Sequence, residues 1–574
     1  MTDRANSAPA DDASLVAEPR RTWRSVVPIL GWLPTYQWKR SGASDLIAGI
    51  TLAALLIPES MGYAGVAGVP PQIALYAALA AVVGYAIFGG TSMLVVGPAA
   101  AASAVSASIV GDFHGDVDPV VLTAALAIAS GVLLLVAGAL KLGWIVNFIS
   151  RPVLHAFVAG LAISIIIGQL DGLFGVEVEG ESALDKLVDT VRSLGDAHGL
   201  TVAVGLGAIS ALVLLERYAK RVPAAVVVVV VGIALVAIFG LASRGVAVVG
   251  EIPQGLPDLS IPDLSETRWL ELLAGGTALM LVGFSEGYAA ASTVASETGE
   301  EVDANQELVA AGSANVAAGV FGGMAVGGSL SKTAASMNAG ARSQVTNLVA
   351  GLVVLGTLLF LAPLFEDLPE PVLAAIVIVA VLPSANPRRV TSLWAVNRFD
   401  FVAGSTTFVL VLVWETLPAM IVGVVLSLAF AVHRLSFPDV IELRVDAGGR
   451  FRRTEPGATH QLESIDGVAI VRIEAALLYA NSERLLRAVR TLVARRPDLH
   501  RVVLDAEMMS DLDASGAEAL DAIGDELASA GIDFRLARTH TRARAQILRS
   551  GLAERFERQM YSSLTDAVGT PDGG

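Results

Sequence analysis

Between Asp45 and Val432 the chain carries fourteen apolar segments, and two of them are too short to cross a bilayer. A spanning helix needs about 20 apolar residues. The third segment opens at Gly97-Pro98 and the tenth at Ser329, just behind Gly327-Gly328, and each runs for little more than half that length. Proline suits a first helical position, and the glycines supply the turn before the other helix. Two short segments, third in one set of seven and third in the next, predict an inverted repeat of seven plus seven. Repeat one covers 44–242 and repeat two 270–435, within a transmembrane domain over 44–436.

Composition agrees with a polytopic membrane protein. The chain has 574 residues, 54% hydrophobic and 16% charged, with mean hydropathy +0.64. Soluble domains carry about 25% charged residues. No cysteine is present, so disulfides, thiol catalysis and cysteine metal sites are excluded. A net charge of −16 argues against a nucleic-acid partner. Residues 1–43 are polar and basic without an apolar core, which reads as a cytoplasmic tail and not a signal peptide. With the N-terminus inside, inner loops collect ten Lys and Arg, among them Lys141, Arg151, Lys220, Arg221, Arg342 and Arg388. Outer loops collect four: Lys186, Arg192, Arg244 and Arg268. The positive-inside rule therefore places both termini in the cytoplasm of a multi-pass inner (plasma) membrane protein.

After about residue 438 the composition turns soluble. Val468–Ile473, Val502–Asp505 and Asp533–Leu536 read as strands, with helical spacing between them at Leu485, Leu486, Val489 and again at Ala517, Leu520, Ile523. The alternation predicts a small cytoplasmic α/β domain over 440–568.

Ionisable residues within the spans are few, and each costs about 2.5–3.5 kcal/mol at a helix centre by insertion scales. They are Glu59 in span one, Glu286 in span eight and Lys332 in span ten. Spans one and eight are equivalent in the two repeats, and a Gly-Tyr pair follows each carboxylate (Gly62-Tyr63, Gly287-Tyr288). Two half-helix N-termini, near Pro98 and Ser329, each present roughly half a positive charge, and Lys332 adds a full one. Ala99, Ala100, Ser329, Leu330 and Ser331 offer backbone N–H donors, and the serines add hydroxyls. Such a pocket suits a small anion. A nearby carboxylate repels that anion unless it carries a proton, so proton and anion would enter together as symport. The competing arrangement is a Glu286–Lys332 ion pair that the substrate displaces. No nucleophile–base pair, metal cluster or phosphate loop appears, so an enzyme is not expected. His155, at the head of span five, is the one histidine near the membrane core.

At these residues the chain resembles the sulfate permease (SulP) family of anion transporters. The resemblance rests on Asp45-Leu46-Ile47-Ala48-Gly49 through Pro58-Glu59-Ser60-Met61-Gly62-Tyr63, Gly89-Gly90-Thr91-Ser92 with Val96-Gly97-Pro98, Asn305-Gln306-Glu307-Leu308, and Gly328-Ser329-Leu330-Ser331-Lys332-Thr333. The soluble part resembles a STAS domain through Val502-Val503-Leu504-Asp505-Ala506 and Asp513-Ala514-Ser515-Gly516. The resemblance implies a core domain that moves like an elevator against a gate domain, a homodimer, and a substrate site at Glu59, Tyr63, Pro98, Ala99, Ser331 and Lys332. It also implies that Glu286 couples ions. Ala290, one turn after Glu286, supplies no side-chain oxygen for a hard cation, which favours protons over sodium. Ser515 stands where stand-alone STAS proteins are phosphorylated; a helix N-cap at Asp513 or Ser515 is the simpler reading. Uncoupled exchange, an anion channel, or membrane-tethered signalling through partners of the STAS domain are the alternatives. Sulfate, bicarbonate and C4-dicarboxylates all suit the cradle.

Overall fold

The computed structural model describes residues 26–569 apart from 112, 114–116, 145–149, 181, 220–222, 258, 260, 261, 263–268, 415 and 454–461. Most of the expected tail over 1–43, and Lys220, Arg221 and Arg268, thus lie outside the described residues. The chain divides into two compact units, Met1–Ser427 and Leu428–Gly574.

The first unit is helical. The helices at the expected spans are, in chain order, α1 (Trp38–Ala67), α2 (Pro71–Phe88), α3 (Ala100–Gly111), α4 (Pro119–Ala139), α5 (Arg151–Gly168), α6 (Gly199–Tyr218), α7 (Ala224–Phe239), α8 (Trp269–Thr298), α9 (Ala304–Val320), α10 (Leu330–Asn338), α11 (Val345–Gly356), α12 (Glu370–Val381), α13 (Arg398–Val413) and α14 (Thr416–Ser436), the last running into the second unit; the amphipathic helix Ala183–Ser193 lies between α5 and α6. Among the described residues, eight helical stretches are long and apolar enough to cross a membrane unaided. The short third and tenth helices, α3 and α10, have twelve and nine residues. Each is preceded by a three-residue strand, β1 (Val96–Pro98) and β2 (Val326–Gly328). The strands pair antiparallel, Val96 with Gly328 and Pro98 with Val326. This crossing gives backbone groups at that depth the partners that lipid cannot provide.

Close helix packing sets the frame around the crossing. A Cβ on Gly131 of α4 would lie 2.6 Å from the Val316 nitrogen of α9, and one on Gly312 2.8 Å from the Gly131 carbonyl. Only glycine lets those backbones approach so closely. The motif Asn305-Gln306-Glu307 then staples α9 to its neighbours. Asn305 Oδ1 accepts from the Gly143 N–H at 2.9 Å, Gln306 Nε2 donates to the Phe88 carbonyl at 2.7 Å, and Glu307 accepts from the hydroxyls of Thr91 and Tyr85 at 2.7 and 2.9 Å. Asp45 does the same for α1. Buried, it accepts from the Arg342 N–H at 2.6 Å and from the hydroxyls of Ser343 and Tyr36, both at 2.7 Å. Tyr36 lies ahead of the first span, and burial, then the Asp45 carboxylate it donates to, push its pKa up to about 12.

The second unit holds a sheet in the order β4-β3-β6-β7-β8-β9, with β5 also on β3. The central strands β6 (Val468–Ile473), β7 (Arg501–Asp505) and β8 (Asp533–Ala537) are parallel, as their alternation with helices α15 (Ser482–Arg495) and α16 (Ala514–Ser529) requires. The strands β3 (Val440–Asp446), β4 (Phe451–Arg453) and β5 (Leu462–Glu463) add antiparallel at one edge, and β9 (Met560–Tyr561) adds parallel at the other. Leu485, Val489, Leu520 and Ile523 pack on Val471, Val502 and Leu504 across one sheet face. Asp513 is the N-cap of α16, its side chain accepting from the Gly516 N–H at 2.8 Å; Ser515 lies inside the helix, half-buried.

Candidate anion site

Lys332 lies in the first turn of α10, and its side chain is 1% exposed. A lysine so placed must find acceptors, because an ammonium without partners is expelled from a low-dielectric interior. It finds three. Glu59 Oε2 of α1 sits 2.9 Å from Nζ, an ion pair rather than an aligned hydrogen bond. Nζ donates to the Pro98 carbonyl at 3.0 Å, and the Tyr63 ring centroid lies 4.9 Å away. The lysine of one half-helix thus reaches the mouth of the other.

Local sequence explains the placement. Pro58 removes one backbone donor from α1 immediately before Glu59, freeing a carbonyl in the preceding turn. Glu59 and Tyr63 are one turn apart and both buried, so carboxylate and ring meet Lys332 from the same face. Ser329 caps α10, its hydroxyl receiving the Lys332 N–H at 3.4 Å and lying 3.1 Å from the Ser331 hydroxyl. The Ser329 N–H is already bonded to the Val95 carbonyl at 3.0 Å, so the expectation that it is a free donor is corrected: the strand crossing uses it. The first-turn N–H groups of Leu330 and Ser331 have no intrahelical acceptor by construction. Both residues are exposed, Leu330 at 49%. Ala99 is buried directly ahead of α3.

Glu286 lies in α8 between Gly283 and Gly287, the two glycines by which that helix meets β2. A Cβ on Gly328 would lie 2.6 Å from the Gly287 Cα. Glu286 has no hydrogen-bond or ion-pair partner among the described residues, and Lys332 is the charge within its electrostatic reach. Lys332 therefore pairs with Glu59, and the competing Glu286–Lys332 ion pair is not formed.

One residue of this assembly carries no signal in a charge-based reading. Asn315 of α9 is buried; its Nδ2 donates to the Val326 carbonyl at 2.9 Å, and its Oδ1 accepts the Val326 N–H at 3.0 Å. Its side-chain amide serves β2 as a second strand partner. An amide midway along a Gly/Ala-rich stretch of helix was the available clue.

The sulfate permease family profile matches residues 43–407, and the STAS domain profile residues 459–567. The chain belongs to the sulfate permease family. A probable sulfate transporter of Mycobacterium tuberculosis is 32% identical over 551 residues, covering 94% of this chain and 98% of that protein. The Arabidopsis thaliana chloroplastic sulfate transporter 4.1 is 29% identical over 578 residues, covering 95% and 82%. Among solved structures, the murine Slc26a9 anion transporter in its inward-facing state superposes with TM-score 0.88 at 24% identity, over 99% of this chain and 98% of that one. The transmembrane domain of a cyanobacterium bicarbonate transporter superposes with TM-score 0.58 at 22% identity, over 67% of this chain and 98% of that one. The family is one of multi-pass membrane anion transporters with a STAS domain, and not of enzymes.

Proposed function

We propose that this protein is a secondary active transporter that carries a small oxyanion together with protons, by elevator-type alternating access. The observation that carries the reading is Lys332 Nζ held between Glu59 and the Pro98 carbonyl, where two half-helices begin. Two carboxylates and one ammonium share this space, so ionised they leave one negative charge in excess. An arriving anion adds to the excess unless a carboxylate takes up a proton. Protonation of Glu59 would release Lys332 to the anion, and protonation of Glu286 would keep the loaded site neutral enough to move. Leu330 and Ser331 N–H groups, the Ser331 hydroxyl, and the dipoles at Ala99 and Ser329 complete the cradle.

Sulfate is the substrate favoured, since the relatives matched along nearly the whole chain bear the names of sulfate transporters. Bicarbonate and C4-dicarboxylates are the competitors to be screened with it. A homodimer with both termini in the cytoplasm, and partners docking on the STAS domain, belong to the same reading. Uptake of radiolabelled sulfate, bicarbonate and a C4-dicarboxylate into proteoliposomes, with and without an inward proton gradient, tests it. The gradient should drive accumulation of one of them, and Glu286→Gln should abolish the dependence on the gradient. Indifference to the gradient, or full coupling in Glu286→Gln, would overturn proton symport.

A further inference from the structure

The Ala183–Ser193 helix turns an apolar stripe outward. Ser182 caps it and Asp185 completes a capping box, so its own sequence fixes where it starts. Successive helical residues lie about 100° apart, which divides this helix into three faces. Ala183 and Thr190 share the first and are buried, the helix lying against α5 and α13. Leu184, Val188 and Val191 share the second and are 41, 48 and 59% exposed. Asp185 and Arg192 share the third, roughly opposite the first, and are exposed too. One side meets protein, the far side carries charge, and the apolar stripe lies between them. A helix bathed only in water on its outer sides has no use for that middle face.

Position in the chain sets the depth of the stripe. The helical stretches before and after it, Arg151–Phe174 and Gly199–Tyr218, are each long and apolar enough to cross a membrane. Their adjoining ends are tied together, the His198 N–H donating to the Phe174 carbonyl at 3.1 Å. Only residues 194–198 join the amphipathic helix to α6, a connection of at most about 18 Å. The helix therefore lies at the level where two spans leave the hydrocarbon. Exposed Leu194 continues the apolar surface along the chain toward Leu206, Val213 and Leu214, which α6 also exposes. The charges of the helix balance, Asp185 and Asp189 against Lys186 and Arg192, so neither sign of headgroup is selected.

We infer that the Ala183–Ser193 helix is an interfacial anchor: Leu184, Val188 and Val191 enter the acyl boundary of the bilayer, while Asp185 and Arg192 stay in water. Its partner is the apolar part of the lipid, whatever the headgroup. The continuity with α6 favours lipid over a second copy of this chain, the competing occupant of the same face.

Site-directed spin labelling of the full chain tests this. The sequence has no cysteine, so Leu184→Cys, Val188→Cys, Val191→Cys, Asp185→Cys and Arg192→Cys can each be labelled singly. All five positions are exposed, so the labels disturb no packed core. In phosphatidylcholine vesicles, collisions with oxygen, which concentrates in lipid, are compared with collisions with a water-soluble nickel chelate. Labels at 184, 188 and 191 should favour oxygen several-fold more than those at 185 and 192, at a depth of about 5–10 Å into the headgroup–acyl boundary. That pattern should survive replacement of half the lipid by phosphatidylglycerol. Chelate preference at all five positions would put the stripe in water. Screening of 184, 188 and 191 from both reagents would put protein over it, with dipolar broadening between labels if that protein is a second copy. Either result would overturn the inference, and neither depends on the substrate or on its coupling to protons.

Discussion

At the scale of single residues, the decisive group is Lys332, and its energetics follow from its partners. Breaking a buried ion pair by deleting one member costs about 3–5 kcal/mol, because the other charge stays behind. Glu59 is thus the counter-ion that makes a buried Lys332 tolerable, and in the proposed mechanism an anion takes over that role. Lys332 and both carboxylates were legible in the sequence as the few ionisable groups at span depth. Which carboxylate holds the lysine was not, since Glu59 and Glu286 occupy matching depths and only the fold shows which one Lys332 reaches. Asn315 illustrates the limit further. Its side chain satisfies both backbone groups of Val326, and buried groups left bare cost about 1–3 kcal/mol each. Asn315→Ala should lower stability by about 2–6 kcal/mol, read as a fall in melting temperature of the detergent-solubilised protein. A neutral outcome would show that β2 needs no side-chain partner.

At the scale of elements, two short helices and the strands ahead of them make the site. Their shortness, and the turn formers at Gly97-Pro98 and Gly327-Gly328, were readable from composition along the chain. The pairing of β1 with β2 was not: three residues such as Val-Gly-Pro show no periodicity, and partners more than 200 residues apart leave no local trace. The close approach of α8 to β2 depends on Gly328, where an added Cβ would meet the Gly287 Cα at 2.6 Å. Gly328→Ala must separate two backbones, and overpacking of that kind costs about 1–3 kcal/mol. Transport should fall by at least tenfold while the protein still assembles in the membrane. Gly287→Ala, whose Cβ would meet nothing closer than 3.3 Å, should be milder. Equal activity of Gly328→Ala and wild type would show that α8 is not seated on β2 during transport.

At the scale of the whole molecule, the division into a membrane unit and a STAS unit was plain in the shift of composition near residue 438. The central strands of the soluble unit were equally plain, β6 and β7 as largely apolar runs and β8 as an alternating one, between amphipathic helices. Its antiparallel edge, β3 to β5, was hidden because Glu442, Arg444, Arg452 and Arg453 interrupt the apolar pattern. Within that unit Asp505, fully buried, accepts from Arg472 Nε at 2.7 Å and from Arg538 Nε at 3.0 Å. Both arginines keep some contact with solvent, so Asp505→Ala should destabilise the soluble unit by roughly 3 kcal/mol, at the low end for a broken buried pair. Chemical denaturation followed by circular dichroism reads that loss, and an unshifted midpoint would contradict it.

The membrane unit holds the central claim, that the Glu59–Lys332 pair is where proton and anion meet. The measurement that tests it most directly is the affinity of the purified protein for sulfate between pH 5.5 and 8, in wild type, Lys332→Ala and Glu59→Gln. Wild-type affinity should rise as pH falls. Lys332→Ala should bind at least tenfold more weakly, about 1.4 kcal/mol. Glu59→Gln, which removes the charge that competes for Lys332, should bind more tightly than wild type at pH 8. Lys332→Ala binding within twofold of wild type, or Glu59→Gln binding no more tightly than wild type at pH 8, would contradict the account.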